Sequence, residues 1–139
     1  MHKILIADDH SFVRQGMRML LTQAFPSAEI KEVENGEKLL ESIKETNWNI
    51  VITDISMPGI NGLEAIKQIK RDFSLVPVLI LSMHDEERYY LEAIKAGASG
   101  YLTKTVAQDE LIFAVSNILS GKKYFPENLI LKSGIDPSK

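Results

Sequence analysis

The chain has 139 residues, 45% of them hydrophobic and 25% charged, and a formal net charge of −3 at pH 7. These values predict one globular domain with its own core. The slight acidic excess argues against a surface that neutralises nucleic-acid phosphates. The absence of cysteine excludes disulfides, a thiol nucleophile and a cysteine-ligated metal site. Since the sequence has neither an apolar stretch of ~20 residues nor a signal peptide, we expect a cytoplasmic protein without a membrane partner.

Five short apolar runs alternate with amphipathic stretches along the chain. Predicted capping boxes begin at Asn61 and Thr105, and Gly97 and Gly121 stand where helices should end. This alternation predicts an α/β fold, a doubly wound five-stranded parallel sheet with helices on both faces. The predicted strands are Lys3–Ala7, Glu29–Val33, Ile50–Thr53, Val78–Leu81 and Gly100–Leu102.

Residues 122–139 have a different composition from the rest of the chain. Glycine, proline and polar residues surround one apolar patch at Leu129–Leu131. Such a composition is typical of a linker or a frayed end. We therefore predict a domain over residues 1–121 and a C-terminal tail over residues 122–139, with a connector to a domain outside this chain as the sharper alternative.

Polar residues stand at the ends of four predicted strands. Asp8 and Asp9 follow the first strand, Asp54 the third and Ser82 the fourth, and Lys104 lies just past the fifth. The carboxyl ends of parallel strands share one edge of a sheet, so these side chains should converge on one crevice. Each alone is an ordinary turn or capping residue, but five at equivalent positions favour a site.

The charges of this crevice indicate what it binds. Three carboxylates and one ammonium leave about −2, which one Mg²⁺ would balance. Zinc is disfavoured because cysteine is absent and the histidines lack ligand spacing, and His10 is better explained as a helix start. Carboxylates, Mg²⁺, a lysine and a hydroxyl form a set suited to phosphoryl transfer. Asp54 is the candidate nucleophile because it has the end of a central strand to itself.

Four stretches resemble, in order and spacing, the receiver domain of two-component response regulators, most closely the NarL/FixJ-type subgroup. The resemblance covers about residues 2–121. It implies the flavodoxin-like (βα)5 fold with strand order 2-1-3-4-5. The stretches are residues 4–10, 54–62, 80–83 and 96–104, and the subgroup is indicated by residues 8–10, 13–16 and 97–102.

The resemblance implies roles for the acidic residues. Asp54 would be the phosphoacceptor, receiving its phosphoryl group from a histidine of a sensor kinase, with Mg²⁺ as cofactor. The metal ligands would be Asp9 directly, Asp8 through water, Asp54 itself and the backbone carbonyl of Ser56. The chemistry would be confined to self-phosphorylation and self-dephosphorylation at Asp54, so we expect a signalling switch and not an enzyme.

The resemblance also implies a switch beside the phosphoacceptor. Lys104 would anchor the phosphoryl oxygens, Ser82 would move toward them, and Tyr101 would turn inward when Ser82 moves. Thr105 stands where many receivers have proline, so a cis peptide bond after Lys104 is not carried over.

The implied partners are a sensor histidine kinase and a homodimer formed on phosphorylation. Surface residues Tyr89 and Tyr90 are candidates for the dimer interface or are ordinary aromatics of a helix face. The subgroup usually continues into a DNA-binding helix-turn-helix domain. We therefore expect the receiver of a transcription regulator that contacts DNA only through residues outside this chain.

Three alternatives compete with this interpretation. The first is a stand-alone single-domain receiver. The second, an aspartyl-phosphate phosphatase, usually has a second acid two residues after the nucleophile, where Ser56 stands here. The third, a pseudo-receiver that only binds partners, is disfavoured because every expected acidic, hydroxyl and lysine position is filled.

Overall fold

The computed structural model describes residues 2–83, 87–104 and 107–137. Its strands are β1 (Lys3–Ala7), β2 (Glu29–Val33), β3 (Ile50–Asp54), β4 (Val78–Ser82) and β5 (Gly100–Thr103). They form one parallel sheet in the order β2-β1-β3-β4-β5. The predicted parallel sheet and its strand order are confirmed.

Helices cover both faces of this sheet. They are α1 (Ser11–Ala24), α2 (Gly36–Ser42), α3 (Gly62–Asp72), α4 (Glu87–Ala96), α5 (Ala107–Leu119) and α6 (Glu127–Ser133). Helices α1 and α5 pack on one face, and α2, α3 and α4 pack on the other. Successive strand residues point to opposite faces, so Leu5 enters one core while Ile4 and Ile6 enter the other. Among residues 2–83, 87–104 and 107–137, every helix is too short or too polar to span a membrane.

The helix ends follow local side-chain chemistry. The Asn61 side chain accepts a hydrogen bond from the Glu64 N–H at 2.9 Å, as the capping prediction requires. Gly97 and Gly121 have φ angles of 100° and 92°, the left-handed conformation that ends helices and favours glycine. Thr105, the other predicted cap, lies outside the described residues. The peptide bond between Lys104 and Thr105 therefore also lies outside them.

The tail contains a β-bridge and helix α6, whereas the sequence predicts a linker or frayed end. Tyr124 forms a parallel bridge with Gly100 beside β5. Phe125 and Leu129 are buried in the core with α3 and α4. Phe125 precedes α6 and Leu129 lies within it, and their burial outweighs the linker-like composition. What the tail connects to stays a prediction.

Tyr90 of α4 is fully buried and is not the surface residue expected from the sequence. Its ring makes edge contacts with Tyr101 and Phe125, with ring centres 5.9 and 5.8 Å apart. Burial raises the pKa of its hydroxyl to about 12, and this hydroxyl donates a hydrogen bond to the Ile135 carbonyl at 2.8 Å. Tyr90 therefore ties the tail to the sheet.

Candidate functional site

The carboxyl edge of the sheet brings acidic residues and a lysine together. Asp8 follows β1, Asp54 ends β3 and Lys104 follows β5. Asp8 is 0% and Asp54 2% exposed. Lys104 Nζ lies 2.9 Å from Asp8 Oδ2 and 3.0 Å from Asp54 Oδ2. Asp9 is at the rim, with 31% of its side chain exposed. One ammonium is thus shared by two buried carboxylates.

Burial and ion pairing act in opposite directions on the pKa of Asp54 and on the pKa of Lys104. Burial raises the pKa of the Asp54 carboxyl, the charge of Asp8 raises it further, and the hydrogen bond from Lys104 opposes the rise. For Lys104, burial alone would lower the pKa, but the attraction of the Asp8 and Asp54 carboxylates outweighs this effect and the pKa is raised. The lysine therefore stays charged, while the folded protein disfavours the ionised form of Asp54.

His10 borders the acidic residues at the start of α1. Its backbone N–H donates a hydrogen bond to Asp8 Oδ1 at 2.9 Å, which helps to fix that carboxylate. Its ring Nδ1 lies 3.0 Å from Asp8 Oδ1 and 3.2 Å from Asp9 Oδ1, with 59% of the side chain exposed. The histidine occupies the helix start expected from the sequence and also faces the acidic group.

The residues present fit a hard divalent cation. Asp8, Asp9, His10 and Asp54 each offer one ligand atom, and these atoms lie within 4.8 Å of one another. Asp8 Oδ2 is buried and accepts no hydrogen bond, because Lys104 approaches it at ion-pair distance without hydrogen-bond geometry. Carboxylate oxygens are hard donors of the kind that Mg²⁺ binds, with water completing its coordination. The acidic pocket is therefore compatible with Mg²⁺.

Ser56, whose carbonyl is the remaining predicted ligand, lies two residues beyond Asp54. Its N–H donates a hydrogen bond to Asp54 Oδ1 at 3.2 Å. This bond stabilises the ionised carboxylate and lowers the pKa of Asp54 against the effect of burial. The turn after β3 thus orients the Asp54 carboxylate.

The two predicted switch residues are both buried on the strands that follow β3 across the sheet, Ser82 at the end of β4 and Tyr101 within β5. Ser82 ends β4, and its carbonyl accepts the Lys104 N–H at 2.7 Å. Tyr101 lies on β5 opposite Ile80 of β4. It is 0% exposed, and its ring contacts Tyr90. In this structure Tyr101 already occupies an inward position.

Two contacts around the site had no predicted role. The Arg14 guanidinium donates a hydrogen bond to the backbone carbonyl of Asp8, and Tyr90 supports the ring of Tyr101. The helical spacing of Arg14 and Arg18, four residues apart, was the available signal for a pair of cations on one side of α1. No pattern in the sequence indicates that α4 turns Tyr90 inward.

The raised pKa of Asp54 predicts a pH dependence of stability without Mg²⁺. An acid whose pKa is higher in the folded state stabilises the fold below its ordinary pKa. That contribution is lost as the pH rises through the folded-state pKa. Between the ordinary value of 3.8 and the raised value, wild-type stability should therefore fall relative to Asp54→Asn, which cannot ionise. Urea denaturation at a series of pH values measures the difference, and parallel profiles for the two proteins would contradict the prediction.

Relatives in sequence support the interpretation of this pocket. A family model of the response regulator receiver domain matches residues 4–116. The transcriptional regulatory protein DegU of Brevibacillus brevis is 37% identical over 122 residues, covering 88% of this chain and 52% of DegU. The response regulator UvrY of Escherichia coli K12 is 33% identical over 142 aligned positions, covering 100% of this chain and 65% of UvrY. The chain spans half to two thirds of these relatives.

Solved structures agree with the sequence relatives. A LuxR-family two-component response regulator from Aurantimonas sp. is similar with a TM-score of 0.88 and 31% identity, covering 96% of this chain and 98% of that one. The non-phosphorylated receiver domain of the stress response regulator RcsB from Escherichia coli has a TM-score of 0.83 and 30% identity, covering 91% and 98%. With the acidic pocket at the sheet edge, these matches show that the chain belongs to the response regulator receiver domain family.

Proposed function

We propose that Asp54 is the phosphoacceptor of this receiver domain, with a sensor histidine kinase as donor and Mg²⁺ as cofactor. The observation that carries the proposal is the buried Asp54 carboxylate held 3.0 Å from Lys104 Nζ. Two further carboxylates, Asp8 and Asp9, offer ligand atoms in the same cluster. A nucleophile, a fixed cation and a metal-binding acid group thus share one crevice.

The transfer step is a displacement at phosphorus. An oxygen of Asp54 forms the new O–P bond while the P–N bond of the phosphohistidine breaks, and the imidazole nitrogen leaves with the electron pair and takes up a proton. Mg²⁺, when bound, neutralises charge on the transferring oxygens. The Lys104 ammonium contributes a second, permanent positive charge at the same place. The backbone N–H of Ser56 holds the other Asp54 oxygen.

Phosphorylation would switch the domain through the residues that surround Asp54. The phosphoryl group brings nearly two negative charges and strong acceptors into a buried pocket. Lys104 and the Ser82 hydroxyl are the groups proposed to engage it. Because Tyr101 and Tyr90 connect this region to the tail, a shift of β5 or α4 would reach the surface there. A homodimer formed on phosphorylation is the proposed output.

The proposed role of the whole protein is transcription regulation. DegU carries that function in its name, and the chain corresponds to 52% of DegU and 65% of UvrY. In this proposal residues 1–121 are the receiver, residues 122–139 lead to an output domain, and DNA is contacted outside this chain. A stand-alone receiver is the alternative, and the length of the natural gene separates the two.

The decisive experiment is incubation with Mg²⁺ and acetyl phosphate, followed by intact mass spectrometry. We expect wild type to gain one phosphoryl group and Asp54→Asn to gain none. Asp72→Asn, which alters an exposed aspartate on α3, should behave as wild type and serves as the matched control.

Two results would contradict the proposal. One is a wild-type chain that gains no phosphoryl mass, and the other is an equal gain in Asp54→Asn. Steady release of phosphate from a phosphomonoester over many turnovers would instead indicate the phosphatase alternative.

A further inference from the structure

Arg14 connects helix α1 to the backbone of the acidic pocket. Its side chain is only 15% exposed. Nε lies 3.3 Å from Glu32 Oε1 on β2, and Nη1 donates a hydrogen bond to the carbonyl oxygen of Asp8. A planar guanidinium presents its donors in fixed directions. The contact with Glu32 therefore orients the group that contacts Asp8.

The peptide between Asp8 and Asp9 is anchored by this contact. The Asp8 carbonyl and the Asp9 N–H belong to one planar unit, so fixing the oxygen fixes the plane from which Asp9 projects. On the preceding peptide, the Asp8 N–H donates to the Val33 carbonyl at 3.1 Å. The backbone of Asp8 is thus held on both sides, by β2 and by Arg14.

We propose that Arg14 is a positioning residue for the metal-binding carboxylates. It acts through the backbone of Asp8 and sets the direction of Asp9, the acid at the rim of the pocket. This inference rests on the proposed function, since it assumes that Asp9 and Asp8 bind Mg²⁺. Arg14 makes no contact with Asp54 among the hydrogen bonds and ion pairs of the described residues.

Loss of the Arg14 contact should affect metal binding without affecting the group that holds Asp54 for phosphoryl transfer. Without the guanidinium, the peptide after Asp8 can rotate and Asp9 loses its fixed direction. Lys104 would still hold Asp54, because that contact comes from β5. We therefore expect a weaker affinity for Mg²⁺ with little change in the phosphorylation rate once Mg²⁺ is saturating.

Arg18 provides a matched control on the same helix. It also pairs with Glu32, but its Nη2 donates to the Ile30 carbonyl at 2.8 Å and not to Asp8. Arg18→Gln removes the same charge from the same patch and leaves the Asp8 carbonyl contact in place. Arg14→Lys keeps the charge of Arg14 and loses its fixed fork of donors.

The experiment is calorimetric titration of the full chain with Mg²⁺, combined with the rate of phosphorylation by acetyl phosphate at a series of Mg²⁺ concentrations. For Arg14→Gln we expect the Kd for Mg²⁺ to rise about ten- to hundredfold, the range seen when groups that orient metal ligands are removed. The half-saturating Mg²⁺ concentration should rise in parallel, and the plateau rate should stay close to that of wild type. The Kd of Arg14→Lys for Mg²⁺ should lie between those of wild type and Arg14→Gln.

An unchanged Kd in Arg14→Gln, or an equal rise in Arg18→Gln, would overturn the inference. Should Arg14→Gln fail to fold by circular dichroism, Glu32→Ala is the second variant, because alanine offers no acceptor to the guanidinium and so removes the contact that orients Arg14. Its Kd should rise as well, and an unchanged value overturns the inference. If wild type binds Mg²⁺ and becomes phosphorylated while Arg14→Gln behaves the same, the proposed function stands and only the inference about Arg14 fails. If wild type neither binds Mg²⁺ nor becomes phosphorylated, the proposed function and the inference both fail.

Discussion

Gly62→Ala is expected to lower the free energy of unfolding by about 3 kcal/mol, at the upper end of the cost of overpacking. Gly62 is the first residue of α3. A Cβ placed there would lie 2.2 Å from the Asp54 carbonyl oxygen and 2.9 Å from Ile55 Cα. Both atoms belong to the backbone, so no side chain can move aside and α3 must shift away from the end of β3. Because the clash is with the backbone of Asp54, phosphorylation should slow as well.

The control for this substitution is Gly16→Ala in α1. Gly16 is exposed, and a Cβ there would meet nothing within 4 Å. Alanine is the better helix former, so this variant should gain about 0.5–1 kcal/mol. Urea denaturation of both variants measures the contrast. Equal stability of Gly62→Ala and Gly16→Ala would refute the close approach of α3 to β3.

Leu129→Ala is expected to cost about 2–4 kcal/mol. Leu129 is 0% exposed and belongs to the same core cluster as Tyr90 and Phe125. Its truncation would leave a cavity between α6 and α4 and weaken the docking of the tail. Chemical denaturation should show the loss, and hydrogen exchange should show faster exchange at the amides of α6 than at those of β3.

Leu131→Ala in the same helix is the matched control. Leu131 is 75% exposed, so its removal should change stability by less than about 0.5 kcal/mol. A Leu129→Ala protein as stable as Leu131→Ala would mean that the tail does not contribute to the core. Residues 122–137 would then behave as the linker predicted from the sequence and not as a segment packed on the core.

The sheet was predictable because all of its strands except the edge strand β2 are buried almost throughout. Such strands appear as apolar runs, and β3 and β4 each extend only one residue beyond their predicted ends, at Asp54 and Ser82. The meeting of Asp8, Asp54 and Lys104 also follows from parallel topology, which places all carboxyl ends at one edge. These predictions need only the local sequence and the direction of the strands.

The tail and the supporting contacts were not predictable in this way. Leu129 is buried because it packs in the core cluster that contains Tyr90 of α4 and Phe125, and that cluster exists only in the assembled fold. The contact of Arg14 with Asp8 depends on how α1 is rotated over β2. Composition does not encode either arrangement, so tertiary packing decided both.

The position of Tyr124 has a consequence for self-association. Its N–H donates to the Ser99 carbonyl and its carbonyl accepts the Tyr101 N–H, each at 3.0 Å, so the chain's own tail pairs with the open edge of β5. At the opposite edge, β2 carries the charged residues Glu29 and Lys31. Unpaired strand edges template aggregation, and covering or charging them prevents it. Growth of the sheet from one copy to the next is thereby disfavoured at both edges.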